Sequence, residues 1–272
     1  MGVNICNTDK KIGFIGAGKM ASAIMGGIVK SGFIDSKNVF AFDVSPEALK
    51  GAKENFNVNT ADSIALLADS VDVVVIATKP FVAQDVLKEL GVHTAGKLVI
   101  SVMAGVTTSK IEAVLKEARV IRVMPNTPAF VKEGMCALCA GSAAKEEDMN
   151  FVDSMLSNIG RTARVDEADI DIVTAISGSG PAFYYYIIDK IARAGEKLGL
   201  DYKTCLTLSA QTALGSAKML LENNQTPGEL ITAVTTPGGC TAVGNDVLKN
   251  SDIENILDRT IKDTMDKARA LG

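Results

Sequence analysis

Two glycine-rich segments of this sequence have the residue types and spacing that suit anion binding. The first reads Gly16-Ala17-Gly18 and has a small residue at Ala21, which gives the spacing G-x-G-x-x-A. An apolar run at residues 12–15 precedes it, and a helical apolar pattern follows it. In that context the glycines permit a tight turn and let backbone N–H groups at the helix start approach a pyrophosphate. The pattern predicts dinucleotide binding; the alternative is a strand-to-helix turn without a ligand.

The second glycine-rich segment, residues 235–241, reads Thr-Thr-Pro-Gly-Gly-Cys-Thr and precedes a short helical pattern. Successive backbone N–H groups next to hydroxyl side chains can form an anion-binding turn, and a substrate carboxylate fits such a turn. The alternative is a glycine-rich turn in which a threonine caps the next helix. A nucleotide-binding segment elsewhere in the chain favours the functional interpretation, because such an enzyme also needs a substrate site.

The rest of the sequence offers few acid–base or metal-binding residues. His93 is the only histidine, and we expect it at the surface in a loop. Cys136 and Cys139 form the one C-x-x-C pair among five cysteines and lack further zinc ligands, so we predict free thiols and no metal. Hydride transfer to a polarised C=N bond needs mainly orientation and charge placement, whereas ketone reduction must also protonate an alkoxide. The composition therefore favours imine reduction.

The hydrophobic pattern predicts an α/β scaffold for these segments. Residues 71–77 read Val-Asp-Val-Val-Val-Ile-Ala, a β-branched run typical of a central parallel strand. Thr78-Lys79-Pro80 follow at its carboxyl end, where open α/β sheets bind ligands. Strands and helices alternate, which predicts a doubly wound parallel sheet. The other predicted strands are residues 38–42, 98–101, 120–123, 135–140 and 162–165, and the predicted helices are residues 46–55, 61–68, 81–90, 109–117 and 146–159.

The pattern changes near residue 166, after which helical periods dominate. Long helices are predicted over residues 182–198 and 204–223, and the last helix, from residue 253, is amphipathic. These helices are apolar on more than one face, which predicts a subunit interface. We therefore predict an α/β dinucleotide-binding domain over residues 1–165 and an all-helical domain over residues 166–272.

Composition sets further expectations about partners and location. The 272 residues carry a formal net charge of −4 and a pI of about 5.2, which gives no electrostatic reason to expect nucleic acid or an anionic membrane surface as partner. The uncharged stretch 172–188 is shorter than the ~20 apolar residues of a membrane-spanning helix, so we expect a helix buried in the protein. The first residues lack a signal-type apolar core, which predicts a cytoplasmic protein.

Asp43 ends the second predicted strand and precedes Ser45-Pro46. A carboxylate at this position can bind the adenosine ribose 2′-hydroxyl, and it repels a 2′-phosphate. It would therefore favour NAD over NADP. The alternative is a turn or helix-capping residue.

At five places the sequence resembles the pyrroline-5-carboxylate reductase family. The matching segments are GFIGAGKMA at residues 13–21, ATKP at 77–80, MPNTP at 124–128, SGSGPAF at 177–183 and VTTPGGCT at 234–241. They follow the family's order and span nearly the whole chain.

The resemblance implies reduction of L-1-pyrroline-5-carboxylate to L-proline with hydride from NADPH or NADH. It also implies an amino-terminal Rossmann domain and a helical carboxyl-terminal domain that forms an interlocked homodimer, often assembled into pentamers of dimers.

Residue roles carried over from the family fall into three groups. The residues that would hold the dinucleotide phosphates are Gly16, Ala17, Gly18, Lys19 and Met20. Those that would flank the ribose and nicotinamide are Ala77, Lys79, Pro80, Met103 and Ala104. Those that would hold the substrate carboxylate and ring are Thr236, Gly238, Gly239, Cys240 and Thr241, with Thr241 hydrogen-bonded to the ring nitrogen as the catalytic residue. Glu167 matches an acidic residue near the substrate amine; the alternative is a solvated helix start.

The sequence also departs from the family. Asn245 stands where the motif usually has an apolar residue, and Phe183 stands where tyrosine is frequent. Two other functions compete with reduction of the imine. A β-hydroxyacid dehydrogenase would need lysine and asparagine where this chain has Tyr184 and Ile188, which disfavours it. A dinucleotide sensor without catalysis would have the same fold but no activity.

Overall fold

An eight-stranded sheet forms the centre of the first part of the chain. The computed structural model describes residues 8–271, so the expectations for the amino-terminal residues and for Cys6 lie outside the described residues. The strands are β1 (Ile12–Ile15), β2 (Val39–Phe42), β3 (Asn59–Thr60), β4 (Val73–Ile76), β5 (Leu98–Ser101), β6 (Arg119–Met124), β7 (Gly134–Ala140) and β8 (Gly160–Arg164). Their spatial order is β3-β2-β1-β4-β5-β6-β7-β8.

The strands from β3 to β6 are all parallel, which confirms the doubly wound α/β fold. All residues of β1 and β4 are buried, because helices cover both sheet faces. The order β3-β2-β1-β4-β5-β6 is that of a Rossmann sheet, whose ligand crevice lies at the carboxyl ends of β1 and β4. The short edge strand β3 was not predicted, because Asn59 and Thr60 are exposed and show no apolar alternation.

Two strands, β7 and β8, depart from the parallel prediction, because β8 pairs in parallel with β7. β7 runs antiparallel to β6, pairing Ile121 with Ala140 and Met124 with Ala137. Only residues 125–133 connect the two strands, and a parallel crossover needs a dozen or more residues. The connection is therefore too short to return β7 in the parallel direction.

Twelve α-helices accompany the sheet in residues 8–271. They are α1 (Lys19–Lys30), α2 (Pro46–Phe56), α3 (Ile64–Ser70), α4 (Ala83–Leu90), α5 (Thr108–Glu112), α6 (Glu146–Leu156), α7 (Ile170–Val173), α8 (Gly180–Lys197), α9 (Tyr202–Glu222), α10 (Pro227–Val234), α11 (Cys240–Lys249) and α12 (Ile253–Leu271). The predicted helix at 61–68 begins later, at Ile64, because the Ser63 side chain caps it by accepting a hydrogen bond from the Leu66 N–H.

The described chain divides into two compact units. Residues 8–179 and 264–271 form the first unit, and residues 180–263 form the second. Residues 166–179, which the prediction placed in the helical domain, group with the first unit. The domain boundary at residue 166 stays a prediction.

The second unit is helical, as predicted, and is built on the α8–α9 hairpin. The Ser209 hydroxyl donates to the Ile188 carbonyl at 3.2 Å, and the Tyr202 hydroxyl donates to Asp189 at 2.7 Å. Gly195 lets the helices approach, because a Cβ there would lie 2.7 Å from the Cys205 sulfur. These contacts hold the hairpin together.

The expectation that residues 172–188 form a buried helix is wrong for the isolated chain. Ile176 is 56% exposed and Tyr185 is 63% exposed. The other residues of the same chain therefore leave part of the apolar face of α8 exposed. None of the helices in the described residues is long and apolar enough to cross a membrane.

Candidate active site

The glycine turn after β1 has the geometry that its spacing predicts. Gly16 has φ +94°, a left-handed conformation that favours glycine. A Cβ on Gly16 would lie 2.7 Å from the Ala77 carbonyl oxygen, so the turn touches the end of β4. The Gly16 N–H donates to the Phe42 carbonyl at 2.8 Å, which ties the turn to β2 as well. The glycine turn therefore lies at the carboxyl ends of three adjacent strands.

The start of α1 is open to a ligand. Gly18 is the N-cap residue, no side chain caps the helix, and its first turn has no acidic residue. A Cβ on Gly18 would meet no atom within 4 Å, so the space above it is free. Lys19 is exposed and Met20 half-buried. Because the first N–H groups of a helix have no partner within the helix, this turn fits the pyrophosphate of a dinucleotide.

Asp43 is bonded to the glycine turn. Its Oδ2 accepts a hydrogen bond from the Ala17 N–H at 2.7 Å, and its Oδ1 accepts one from the Ser45 N–H at 2.9 Å. These bonds match the turn-residue interpretation. They leave each carboxylate oxygen a further lone pair, so they also allow a bond to a ribose hydroxyl. The carboxylate is held in place by backbone groups on both sides.

The other residues expected at the cofactor occupy two loops beyond β4 and β5. Lys79, Pro80 and Ala104 are exposed, and Ala77 is half-buried. The Met103 side chain is only 1% exposed and lies in the core, so only its backbone can face a ligand. Pro80 and Ala104 line one cavity of about 840 Å³.

Arg122 lies in the wall of that cavity and is 4% exposed. Its guanidinium forms an ion pair with Oε1 of Glu167. Oε2 of Glu167 accepts hydrogen bonds from the Thr108 hydroxyl at 2.7 Å and the Thr108 N–H at 3.3 Å, and from the Cys139 thiol at 3.4 Å. Glu167 is therefore not the freely solvated helix start of the alternative interpretation.

The surroundings of Glu167 change two pKa values. Burial acts to raise the pKa of Glu167, but the hydrogen bonds from Thr108 and Arg122 outweigh it, so the pKa lies below its ordinary value. Burial, with a smaller contribution from the charge of Glu167, raises the pKa of Cys139 to about 12. The carboxylate is ionised and the thiol is protonated at neutral pH.

Two of the motifs quoted above meet in the first unit. The Asn126 side-chain amide donates to the Ser177 carbonyl at 3.1 Å, and its oxygen accepts from the Met135 N–H at 2.8 Å. Residues 174–178 form a π-helical turn, because the Ser179 N–H reaches the Thr174 carbonyl at 2.8 Å. Such turns are frequent at functional sites. Asn126 thus joins MPNTP to SGSGPAF.

The glycine-rich segment of the second unit forms a tight turn before α11. The Gly239 N–H donates to the Thr236 carbonyl at 2.9 Å, and Gly238 has φ +72°. Pro237 and Gly238 suit the two central positions of such a turn. A Cβ on Gly239 would lie 2.4 Å from the Thr236 hydroxyl oxygen, so a side chain there would have to displace the Thr236 side chain. The left-handed conformation favours glycine at position 238, and this close contact favours it at position 239.

The helix that follows supports the predicted anion site. α11 begins at Cys240, immediately after the turn, and has no side-chain cap. The threonine-cap alternative is therefore not what the second unit contains. Cys240 is exposed and Thr241 half-buried. The turn and the uncapped helix start place backbone donors and the Thr241 hydroxyl in one segment.

The cysteines of the C-x-x-C pair and the single histidine lie outside the two glycine-rich segments. Cys136 and Cys139 lie on β7 and are free and buried. Burial raises the pKa of Cys136 to about 12. His93 lies in a short 3₁₀ turn, and its Nδ1 is 2.8 Å from Asp69. Within residues 8–271, no group of three or more histidine, cysteine, aspartate or glutamate side chains is placed to hold a metal ion.

Sequence reasoning missed Arg122, Thr108 and Asn126. Arg122 is a charged residue between the apolar residues Ile121 and Val123 of its strand, and a buried charge requires a partner. The sequence therefore indicated that Arg122 needs a partner. It did not identify the partner, because Glu167 lies 45 residues further along the chain. Asn126 lies within the MPNTP segment that resembles the family, but the resemblance assigned no role to it.

The chain is similar to known proteins over nearly its full length. A family model described as pyrroline-5-carboxylate reductase dimerisation matches residues 167–271, and one described as NADP oxidoreductase, coenzyme F420-dependent, matches residues 11–105. A pyrroline-5-carboxylate reductase of Methanosarcina acetivorans is 39% identical over 266 residues, which cover 97% of this chain and 98% of that protein.

Solved structures are similar over the same length. A pyrroline-5-carboxylate reductase from Coxiella burnetii has 34% identity and a TM-score of 0.93, with 97% of this chain and 99% of that chain covered. Plasmodium falciparum pyrroline carboxylate reductase with NADP bound has 33% identity and a TM-score of 0.85, with 97% and 98% covered. From its sequence, its fold and these relatives, the chain belongs to the pyrroline-5-carboxylate reductase family.

Proposed function

We propose that this chain reduces L-1-pyrroline-5-carboxylate to L-proline with hydride from NADPH or NADH, the last step of proline biosynthesis. The observation that carries the proposal is similarity over nearly the full length to reductases of this name, at up to 39% identity. The start of α1 at Gly18 has no side-chain cap and fits a dinucleotide pyrophosphate, which agrees with the proposal.

The first unit binds the cofactor, which supplies the hydride. Within residues 16–20, Gly16 and Ala17 shape the turn, because their N–H groups donate to Phe42 and Asp43, and the N–H groups at the start of α1 bind the phosphates. Asp43 lies beside the adenosine ribose. Ala77, Lys79, Pro80, Ala104 and the backbone of Met103 flank the second ribose and the nicotinamide. Support comes from the exposure of Lys79, Pro80 and Ala104 at the carboxyl edge of the sheet.

The second unit binds the substrate. Residues Thr236, Gly238, Gly239, Cys240 and Thr241 hold the carboxylate and the ring, and the Thr241 hydroxyl accepts or relays a hydrogen bond of the imine N–H. No covalent intermediate is required, because orientation and charge placement suffice for hydride transfer to a protonated imine. The tight turn and the uncapped start of α11 support this assignment.

Glu167 is proposed to place a negative charge near the substrate amine. Its bonds to Arg122 and Thr108 support a fixed, ionised carboxylate. The Arg122 pairing also shows that Glu167 contributes to the fold, so its substitution affects stability as well as turnover.

The chain carries the family's dimerisation region and forms homo-oligomers. We propose a homodimer, assembled further into a pentamer of dimers, in the cytoplasm and without nucleic-acid or membrane partners. The exposed apolar side chains of the second unit, among them Tyr185 and Leu221, support burial against a second copy. Light scattering at several concentrations tests it; a monomer mass at all of them would refute it.

A cuvette assay tests the activity. L-1-pyrroline-5-carboxylate added to the protein with NADH or NADPH should cause loss of the absorbance of the reduced cofactor and formation of proline. A dinucleotide sensor would bind the cofactor and leave the absorbance unchanged. Comparison of kcat/KM for the two cofactors measures their preference.

A further inference from the structure

The segment that holds the proposed substrate turn has a second connection besides its backbone. The Asn245 side-chain amide, on α11, donates a hydrogen bond to the Thr235 hydroxyl oxygen at 3.0 Å. Thr235 precedes the turn and Asn245 follows it by one helical turn. The bond therefore joins the two ends of residues 235–245, the loop-to-helix segment that contains Thr236 and Thr241.

The donor and acceptor roles in this contact are fixed. The Thr235 hydroxyl donates its own proton to the Ile231 carbonyl at 2.6 Å, at the end of α10. Its oxygen is therefore left as an acceptor, and the Asn245 amide is the donor. The chain of bonds from Asn245 through Thr235 to Ile231 links α11 to α10 across the turn.

The burial pattern supports an inward face at this point. Thr235, Gly239, Thr241, Ala242 and Asn245 are half-buried, whereas the other residues of 231–250 are exposed. Thr241 and Asn245 are four residues apart on α11 and share one face of it. A bond that fixes Asn245 therefore also fixes the side of the helix that carries Thr241.

We propose that Asn245 is a positioning residue of the reductase, which holds Thr241 and the 236–239 turn in the geometry that binds the substrate carboxylate. The inference rests on the proposed function of this segment. It explains a departure from the family, because an apolar residue at position 245 could not donate this bond. In this proposal Asn245 acts through Thr241 and the turn and is not itself assigned to the reacting atoms.

The expected effect follows from the net contribution of one neutral hydrogen bond, which corresponds to roughly fivefold in an equilibrium constant. Asn245→Leu keeps the size of the side chain and removes the donor, so the KM for the substrate should rise about fivefold. The dissociation constant for NADH should stay unchanged, since the cofactor binds the first unit. Asn250→Leu, at the other end of α11 and bonded only within its own helix, is the matched control.

A second pair of variants tests the acceptor. Thr235→Ser retains the hydroxyl and should behave as wild type. Thr235→Val removes it and should raise the KM as Asn245→Leu does. The double variant of Asn245→Leu with Thr235→Val should be no worse than Thr235→Val alone, because both remove the same bond. Additive effects would overturn the proposal.

Hydrogen–deuterium exchange gives a readout that does not depend on turnover. Peptides that cover residues 235–241 should exchange faster in Asn245→Leu than in Asn250→Leu and wild type. An unchanged KM together with unchanged exchange in Asn245→Leu would overturn the inference. A wild-type protein that oxidises neither cofactor in the presence of the substrate would instead reject the proposed function, while exchange would still decide whether the Asn245 bond orders the loop.

Discussion

Arg122 on β6 and Glu167 form an ion pair in the first unit, although the Arg122 side chain is only 5% exposed. The residues on either side of Arg122 in the strand, Ile121 and Val123, lie in the core. Glu167 is fixed in turn by Thr108 and Cys139, from two further elements. This relationship connects the core of the sheet to the carboxylate that we assign near the substrate amine.

Loss of the Arg122 charge should therefore destabilise the fold. Arg122→Met leaves the Glu167 carboxylate without its ion-pair partner in a partly buried position, which typically costs about 3 kcal/mol. Urea unfolding should show this as a lower midpoint. Arg164→Met is the matched control, because Arg164 pairs with Glu146 at the surface, where ion pairs contribute less than about 1 kcal/mol. Equal effects of the two substitutions would contradict the buried role.

The same carboxylate makes stability depend on pH in the acid range. The pKa of Glu167 in the folded chain lies below its ordinary value of 4.5, so its stabilisation is present above pH 4.5 and is lost as the pH falls through the folded-state pKa. Glu167→Gln mimics the protonated form. The difference in unfolding free energy between wild type and Glu167→Gln should be largest near pH 7 and should shrink below pH 4.5. A difference that grows on acidification would have the wrong sign.

Asp43 should make the protein prefer NADH. Its carboxylate is held by the Ala17 and Ser45 N–H groups, so it cannot turn away from a 2′-phosphate. Asp43→Asn removes the charge and one of the two backbone hydrogen bonds, because an amide nitrogen cannot accept, and it should raise NADPH affinity relative to NADH by roughly fivefold. Fluorescence titration with both cofactors measures this ratio. Asp35→Asn, on an exposed 3₁₀ turn, is the control and should leave the ratio unchanged.

The Thr241 hydroxyl should matter for turnover more than for cofactor binding. Thr241→Ala removes the proposed hydrogen bond to the ring nitrogen, and loss of one such bond in a transition state costs roughly 10²-fold in kcat. Thr232→Ala, on α10, removes a hydroxyl that bonds only its own helix and serves as control. Steady-state kinetics and NADH titration separate the effects, and weaker NADH binding in Thr241→Ala would contradict the assignment.

Cys240 offers a chemical probe of the substrate turn. Of the cysteines in the described residues it is exposed, whereas Cys136, Cys139 and Cys205 are buried. In a Cys6→Ser background, iodoacetamide should modify Cys240 and inhibit turnover, and the substrate should protect against both. Peptide mass spectrometry verifies the site. Full turnover after complete modification of Cys240 would exclude its side chain from the substrate site.

Most strands and helices of the first unit, and the glycine turn, could be predicted from the sequence because they depend on local properties. The β-branched run of β4, the helical apolar spacing of α1 and the two glycines between β1 and α1 each specify their own conformation. The resemblance then assigned an activity to the two glycine-rich segments. The comparisons confirm the family and the α/β fold, whereas the roles of the two segments stay predictions.

Other features were decided only by the tertiary structure. The short connection before β7 makes that strand run antiparallel to β6. The hydrophobic pattern of residues 135–140 does not indicate strand direction. Arg122 and Glu167 are 45 residues apart, and Asn126 and Ser177 are 51 residues apart. The hydrophobic pattern establishes which side chains need a partner, because burial depends on local residue type. The identity of the partner depends on which elements the folded chain brings together, and only the packed structure determines that.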